Sequence, residues 1–354
     1  MNILLNLRYS VLLLWILLLF PVASCGGDGG GDEPKPGPDP DPKDATAIAT
    51  QALNRVWATS CAASAASQRN TDYTNIQSWA DNLASSDFTT FFNGQGSSYD
   101  ALVKYDPILA CYNIAFDKVL KEVKETKPAS GEVYVWALYN MGYVVKTPSA
   151  CFAIDIYHKR GAELAPMLDF YALTHVHQDH KTQALIDKML ADGKPVMSNF
   201  LSTQNPYTST VSADYEVNGV KIHTFITNHN NGSTNVPVTA FQITCGSDAG
   251  NLVLLHSGDS NFRSEQFDVT ASSVDIYIPR YAQDELAENQ IIGKVFKPGC
   301  VLLSHILELS HADASSSRWP LQHGITRASK LDCKNTFMPF WGDKMVWRNK
   351  VLQQ

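Results

Sequence analysis

The sequence predicts an α/β fold, a layered domain with a sheet core preceded by a small helical region. Three observations carry this. Residues 45–130 show helical periodicity, whereas from Gly131 onward short runs of β-branched and aromatic residues take over. Helical stretches then alternate with those runs without an internal repeat. With 354 residues, of which 44% are hydrophobic, the chain is long enough to bury a large core.

The chain opens with Arg8 and an apolar block from Val11 to Val22, followed by Ala23-Ser24-Cys25. A basic start, a short apolar run and small residues before a cysteine mark a secretion leader over 1–24, too short for a membrane-spanning helix. Val22-Ala23-Ser24-Cys25 resembles the lipobox of bacterial lipoproteins, which implies acylation of Cys25. Residues 25–44 are mostly Gly, Asp and Pro and read as an extended tether. An acidic Gly/Asp stretch after the cysteine resembles the surface-export signal of Bacteroidetes lipoproteins. The expected location is therefore the bacterial outer membrane, periplasmic or cell-surface, with the membrane as a partner through the lipid anchor.

From Ala45 to about Lys127 the pattern is helical, Ala-rich over 45–67. Asp106-Pro107 offers a cap and a first-turn proline for a helix through Glu125. Ile108, Leu109, Tyr112, Phe116, Val119, Leu120 and Val123 make its single apolar stripe, which covers the following domain or serves as a lid. In the 131–354 domain, strands are expected at 133–137, 143–146, 151–157, 169–173, 219–227, 238–245, 252–256, 274–278 and 301–304. Helices are expected at 184–190, stopped by Gly193, at 284–296 and at 316–330. Six cysteines follow Cys25. An oxidising compartment permits disulfides, with Cys61 and Cys111 the plausible local pair and Cys151, Cys245 and Cys300 divided between bridges and buried thiols.

The formal charge of −7 and the lack of any Lys/Arg cluster exclude a basic surface, so nucleic acid is not an expected partner. A small-molecule substrate is. Leu173-Thr174-His175-Val176-His177-Gln178-Asp179-His180 places three of the ten histidines within six residues, directly after an apolar run. Imidazole and carboxylate donors suit zinc, iron or manganese, and alternation at a strand end turns His175 and His177 to one side. Asp179 and His180 lie past the bend.

This H-x-H-x-D-H pattern after a hydrophobic strand resembles the hallmark of the metallo-β-lactamase superfamily, over roughly Gly131 to the C-terminus. The resemblance implies an αββα sandwich with a two-metal site of divalent ions, zinc first, with iron or manganese as alternatives. It also implies three further ligands at strand ends. His229 ends the run 220–229 and is preferred over the mid-strand His223. Asp259 follows Val253-Leu254-Leu255-His256-Ser257-Gly258, where the family's bridging carboxylate stands. His305 follows Val301-Leu302-Leu303-Ser304, with His311 as its rival or a substrate-side group. Asp155, after Phe152-Ala153-Ile154, resembles the family's supporting aspartate. His158 reads as a surface residue; His256 and His323 have no assigned role, and Tyr281 and Arg318 are candidate mouth residues.

The implied chemistry is a metal-bridging hydroxide attacking a carbonyl or phosphoryl centre, with Asp179 as catalytic proton acceptor. Asp259 stands where true β-lactamases carry Cys or Ser, which points away from β-lactams. It points toward lactonases, thioesterases of the glyoxalase II type and ribonuclease Z-like phosphodiesterases, so the bond cleaved is an ester, lactone, thioester or phosphodiester. The approach through Tyr139–Lys146 loosely resembles ascorbate-phosphate lactonase. The alternative from another class is a non-catalytic surface lipoprotein that binds a ligand or glycan, stapled by metal.

Overall fold

The computed structural model describes residues 44–229, 235–282, 285–311 and 318–354, all within one compact unit. The expected leader, the lipidation candidate Cys25 and the tether up to residue 43 lie outside the described residues.

The helical region comprises α1 (Ala45–Trp57), α2 (Asn70–Asn82), α3 (Ser85–Asn93), α4 (Ser97–Asp100) and α5 (Pro107–Glu125). Asp44 caps α1 by accepting from the Thr46 and Ala47 amides, and Asp106 does the same for α5 through Ile108 and Leu109. The α5 stripe is buried at Ile108, Leu109, Tyr112, Phe116, Val119 and Val123. Each such side chain contributes about 1.5–3 kcal/mol on burial, so the stripe rather than helix propensity holds α5 in place.

Fourteen strands follow among the described residues: β1 (Glu132–Ala137), β2 (Tyr143–Lys146), β3 (Cys151–Ile154), β4 (Phe170–Ala172), β5 (Val196–Met197), β6 (Ala213–Val217), β7 (Val220–Asn228), β8 (Pro237–Thr244), β9 (Val253–His256), β10 (Val274–Ile278), β11 (Pro298–Leu302), β12 (Thr336–Phe337), β13 (Lys344–Arg348) and β14 (Val351–Gln353). Two further helices are α6 (Gln183–Ala191) and α7 (Leu321–Ala328). One mixed sheet has the order β14-β13-β1-β2-β3-β4-β5, the other β12-β11-β10-β9-β8-β7-β6.

Alternation along each strand divides the apolar side chains between two faces. Val133, Val135, Phe152 and Phe170 of the first sheet meet Ile222, Phe241, Leu254 and Ile276 of the second in the central core. Trp136, Val144 and Tyr171 face outward onto α5 and α6. Phe225, Leu255, Tyr277 and Val301 face the other way, in one cluster with residues of α1, α2, α3 and α7. The architecture is thus the expected α/β sandwich of two mixed sheets with helices on both outer faces, and the N-terminal helical region is present.

Direction of travel positions the site. β3, β4 and β5 are mutually parallel, as are β9, β10, β11 and β12. β7 and β9 are both antiparallel to β8 and therefore run the same way. The C-terminal ends of β7, β9, β10 and β11 share one edge, the place where α/β sheets build their sites.

Four expectations need correction. The stretch 284–296 holds, among the described residues, only the single 3-10 turn Ala287–Gln290, because Ile292 pairs with Phe296 across a turn at Gly293, which has φ +80. The C-terminal helix is confined to Leu321–Ala328. The edge strands β5, β6, β12 and β14, and β13 beside β14, carry no strand signal in the sequence. Cys61 and Cys111 are both free thiols. Cys61 lies in the central core and Cys111 on α5 in the outer cluster, so the layers keep them apart.

Candidate metal centre

β4 delivers the histidine motif. The Leu173 amide donates to Met197 O at 2.9 Å, which carries the pairing with β5 one residue past β4, and Thr174 and His175 leave from there. His177 starts a 3-10 turn over Gln178–His180 that folds Asp179 and His180 back toward His175. From the other sheet, His229 follows β7, Asp259 follows β9 through Ser257-Gly258, and His305 follows β11. Gly258 has φ +50, and a Cβ there would lie 2.6 Å from Thr174 Cβ. Only glycine lets the Asp259 turn approach the His175 strand this closely.

The ligand atoms of three sets lie within 4.8 Å of one another: His175, His177 and His229; His175, His180 and Asp259; and Asp179, His180 and His305. Asp259 stands between the first and the last. Its Oδ2 is 3.0 Å from His229 Nε2 and 3.2 Å from His305 Nε2, and its Oδ1 is 3.5 Å from His180 Nε2. Asp179 Oδ2 is 3.3 Å from His180 Nε2 and 3.4 Å from His305 Nε2. All seven residues named from the sequence as ligands are therefore neighbours in space.

The donor set fits divalent cations. His175 Nε2, Asp259 Oδ1 and both ring nitrogens of His305 are buried without a hydrogen-bond partner, a costly state unless something binds there. Burial, with neighbouring His180, holds His175 well below the usual histidine range, so its ring is a neutral lone-pair donor. Burial, with His229, lowers His177 likewise. Burial opposes charge on His180, but Asp179, Asp259 and Asp155 outweigh it and raise its pKa well above the ordinary value. His305 behaves the same way, pushed up to about 9 against burial by Asp259 and Asp179. Burial likewise opposes charge on Asp259, yet His305 and His180 hold it well below the usual carboxylate range. The buried Asp259 carboxylate and the partly buried Asp179 carboxylate thus demand positive charge, which cations between the imidazoles would supply.

Surrounding residues fix this arrangement. Asp155 is fully buried at φ +48 and accepts from the Thr174 amide at 2.8 Å and the Thr174 hydroxyl at 2.6 Å. It also accepts from His180 Nδ1 at 2.8 Å, which leaves Nε2 to face the ligand carboxylates. Asn140, at φ +61, donates to Asp179 Oδ2 at 2.9 Å and to the Asp179 carbonyl at 3.1 Å. Its carbonyl accepts from the His305 amide at 3.2 Å. Sequence reasoning passed over Asn140; the turn signal Asn-x-Gly at Asn140-Met141-Gly142 was the available clue. His256, left without a role, accepts from the Gly258 amide at 3.2 Å and has its Nε2 3.0 Å from Met141 O, bracing the Asp259 turn.

His311 is outside the three ligand sets. Its Nδ1 is 2.7 Å from Glu308 Oε2, and its ring stacks 6.3 Å from that of His305. Glu308 is fully buried and accepts from the Tyr139 hydroxyl at 2.8 Å and the His311 amide at 2.8 Å. Mid-strand His223 instead sits 2.8 Å from Asp214 Oδ1, remote from the ligand sets.

Three side-chain placements differ from expectation. His158 is buried, stacked 3.8 Å from the Phe116 ring and 4.3 Å from that of Tyr112, because the end of β3 tucks under α5. Arg318 is buried and donates to the carbonyls of Ala80, Leu83, Leu309 and His311, so it ties the helical region to the loop after β11 rather than lining a mouth. Tyr281 is buried against Arg327, with its hydroxyl 3.0 Å from His323 Nδ1.

Neither a family profile nor any curated protein sequence matches the chain. Similar folds occur among solved structures. Igni18, described as a novel metallo hydrolase from the archaeon Ignicoccus hospitalis KIN4/I, is 15% identical, with a TM-score of 0.43, over 61% of this chain and 99% of its own. The metallo-β-lactamase fold protein YhfI from Bacillus subtilis is 16% identical, with a TM-score of 0.44, over 61% and 99%. CmlA, a diiron β-hydroxylase from Streptomyces venezuelae, is 13% identical, with a TM-score of 0.43, over 63% and 55%.

Proposed function

We propose that the chain is a metal-dependent hydrolase with a binuclear site, acting on a small molecule that carries an ester, lactone, thioester or phosphodiester bond. The observation that supports it best is Asp259, buried between two imidazole sets and within 3.0–3.5 Å of His229, His305 and His180. In this reading His175, His177 and His229 would hold one ion and Asp179, His180 and His305 the other, with Asp259 within reach of both sets. Zinc suits these donors, with iron or manganese as alternatives. Bound ions would supply Lewis acidity and acidify water to a nucleophile near neutral pH.

The chain's own groups do the rest. Asp179 Oδ2, fixed by the Asn140 amide, is the proton acceptor beside the reacting bond. Asp155 holds the His180 tautomer. Trp319, whose ring lies 4.3 Å from that of His305, shields that side from water. The same proposal has the domain held at the outer membrane through Cys25.

The test is metal analysis of the purified soluble domain with a screen of the four substrate classes. The reading requires about two ions per chain. His175→Ala and Asp259→Ala should lose metal and hydrolysis together, whereas His223→Ala should keep both. Full metal with no turnover on any class would favour the ligand-binding alternative.

A further inference from the structure

We propose that Arg280 is an anion-recognition residue of this site, and that the substrate therefore carries a carboxylate or similar oxyanion beside the bond that is cut. This rests on the hydrolase reading above and narrows its substrate class.

The sheet places Arg280. β10 lies between β9 and β11, and Arg280, two residues past its end, pairs with Ser304. The three neighbouring strand exits thus carry Asp259, Arg280 and His305 side by side. Arg280 Nε donates to the carbonyl of Ser260, the residue after Asp259, at 3.0 Å. Its guanidinium carbon lies 5.8 Å from the ring centre of Phe262 and 6.0 Å from that of Trp319, the ring that packs on His305.

A guanidinium has five N–H donors, and here the protein uses one. Among the described residues no carboxylate pairs with Arg280 and no acceptor takes its Nη groups. The buried arginines among the described residues are spoken for: Arg69 by Asp343, Arg327 by Glu288, Arg318 by backbone carbonyls. Arg280 is partly exposed, braced by one hydrogen bond and two aromatic rings, with the fork edge left over. That edge matches the two coplanar oxygens of a carboxylate. Phe262 and Trp319, which supply the rings, both sit in the left-handed region at φ +57 and +50. Strain of this kind persists where surrounding structure enforces it and collects at ligand-binding positions.

The experiment uses the metal-loaded protein and a matched pair of substrates, phenyl butanoate and the monophenyl ester of glutarate. Wild type should prefer the glutarate ester. Arg280→Met should raise its KM about tenfold or more while kcat and turnover of phenyl butanoate stay within about twofold, and Arg280→Lys should recover part of the loss. A binding arm needs no turnover: calorimetry with glutarate and with neutral glutaramide on the same proteins. Glutarate binding that weakens about tenfold or more in Arg280→Met, with metal content unchanged, supports the assignment even if no ester is cleaved, in which case only the hydrolase reading falls. Equal binding of glutarate and glutaramide by wild type, an anion preference that survives in Arg280→Met, or loss of metal from that variant would each overturn it.

Discussion

Replacing Asp155 by asparagine isolates the hydrogen bonds behind His180. The substitution keeps size and, since asparagine tolerates the left-handed region, leaves the φ +48 backbone unstrained. What changes is acceptor capacity. Asp155 Oδ2 takes the Thr174 hydroxyl and His180 Nδ1, while Oδ1 takes the Thr174 amide. An amide nitrogen at the Oδ2 position would face His180 Nδ1–H and favour the neutral tautomer protonated on Nε2, taking away the lone pair that a metal ion would need there. At the Oδ1 position it would orphan the buried Thr174 N–H. Either way one buried donor goes unpaired, at about 1–3 kcal/mol, and a charge-assisted bond becomes a neutral one, for about 2–4 kcal/mol in all. Metal affinity should fall about 10–100-fold, the usual effect of losing a partner behind a ligating histidine. Urea unfolding of the metal-free protein reads the first quantity, and competition with a chromogenic chelator reads the second. A variant whose stability stays within about 0.5 kcal/mol and whose affinity stays within about twofold would refute the role assigned to this carboxylate.

Further outcomes follow from the same geometry. His305→Ala should reduce bound metal from about two ions toward one, and His311→Ala should keep both while altering kinetics; the reverse pattern would exchange their roles. His158 is held well below the ordinary histidine pKa by burial and then by Arg160 and Lys159, so it folds neutral and the unfolded chain takes up the proton. Its stabilisation is present above pH ~6.5 and lost as pH falls below that value. Between pH 7 and 5.5 the wild type should lose about 1 kcal/mol more unfolding free energy than His158→Asn, and parallel pH profiles would contradict this. Mass spectrometry of the native protein should show an N-terminal acylated Cys25, and cleavage elsewhere would exclude the lipid anchor.

Local patterns explain why much of this was readable. Period-two alternation and apolar runs marked nine of the strands, and Asp106-Pro107 marked the start of α5, since both are properties of contiguous residues. The histidine motif and the Gly258-Asp259 turn stand out for the same reason. Features decided by distant partners were not legible. His158 sits beside Lys159 and Arg160, which suggests a surface, but packing of α5 over β3 buries it. Arg318 reads as polar lining until the carbonyls of Ala80 and Leu83, more than 230 residues away, take its donors. β13 exists as a partner for the edge of β1 and β14 as a partner for β13, pairings that no local signal announces.

The division of the candidate ligands between the sheets would give a bound metal a mechanical role. His175, His177, Asp179 and His180 leave the first sheet, whereas His229, Asp259 and His305 leave the second. Neither sheet contains a site by itself. An ion held by both would be a rivet across the open rim of the sandwich, and prying the layers apart there would first have to break coordination bonds. A tightly held ion at a hundredfold excess over its dissociation constant would add about 2.7 kcal/mol against unfolding. The second sheet is complete only with Thr336–Phe337 and the first only with Val351–Gln353, so both layers that such a rivet would join close with segments far along the chain.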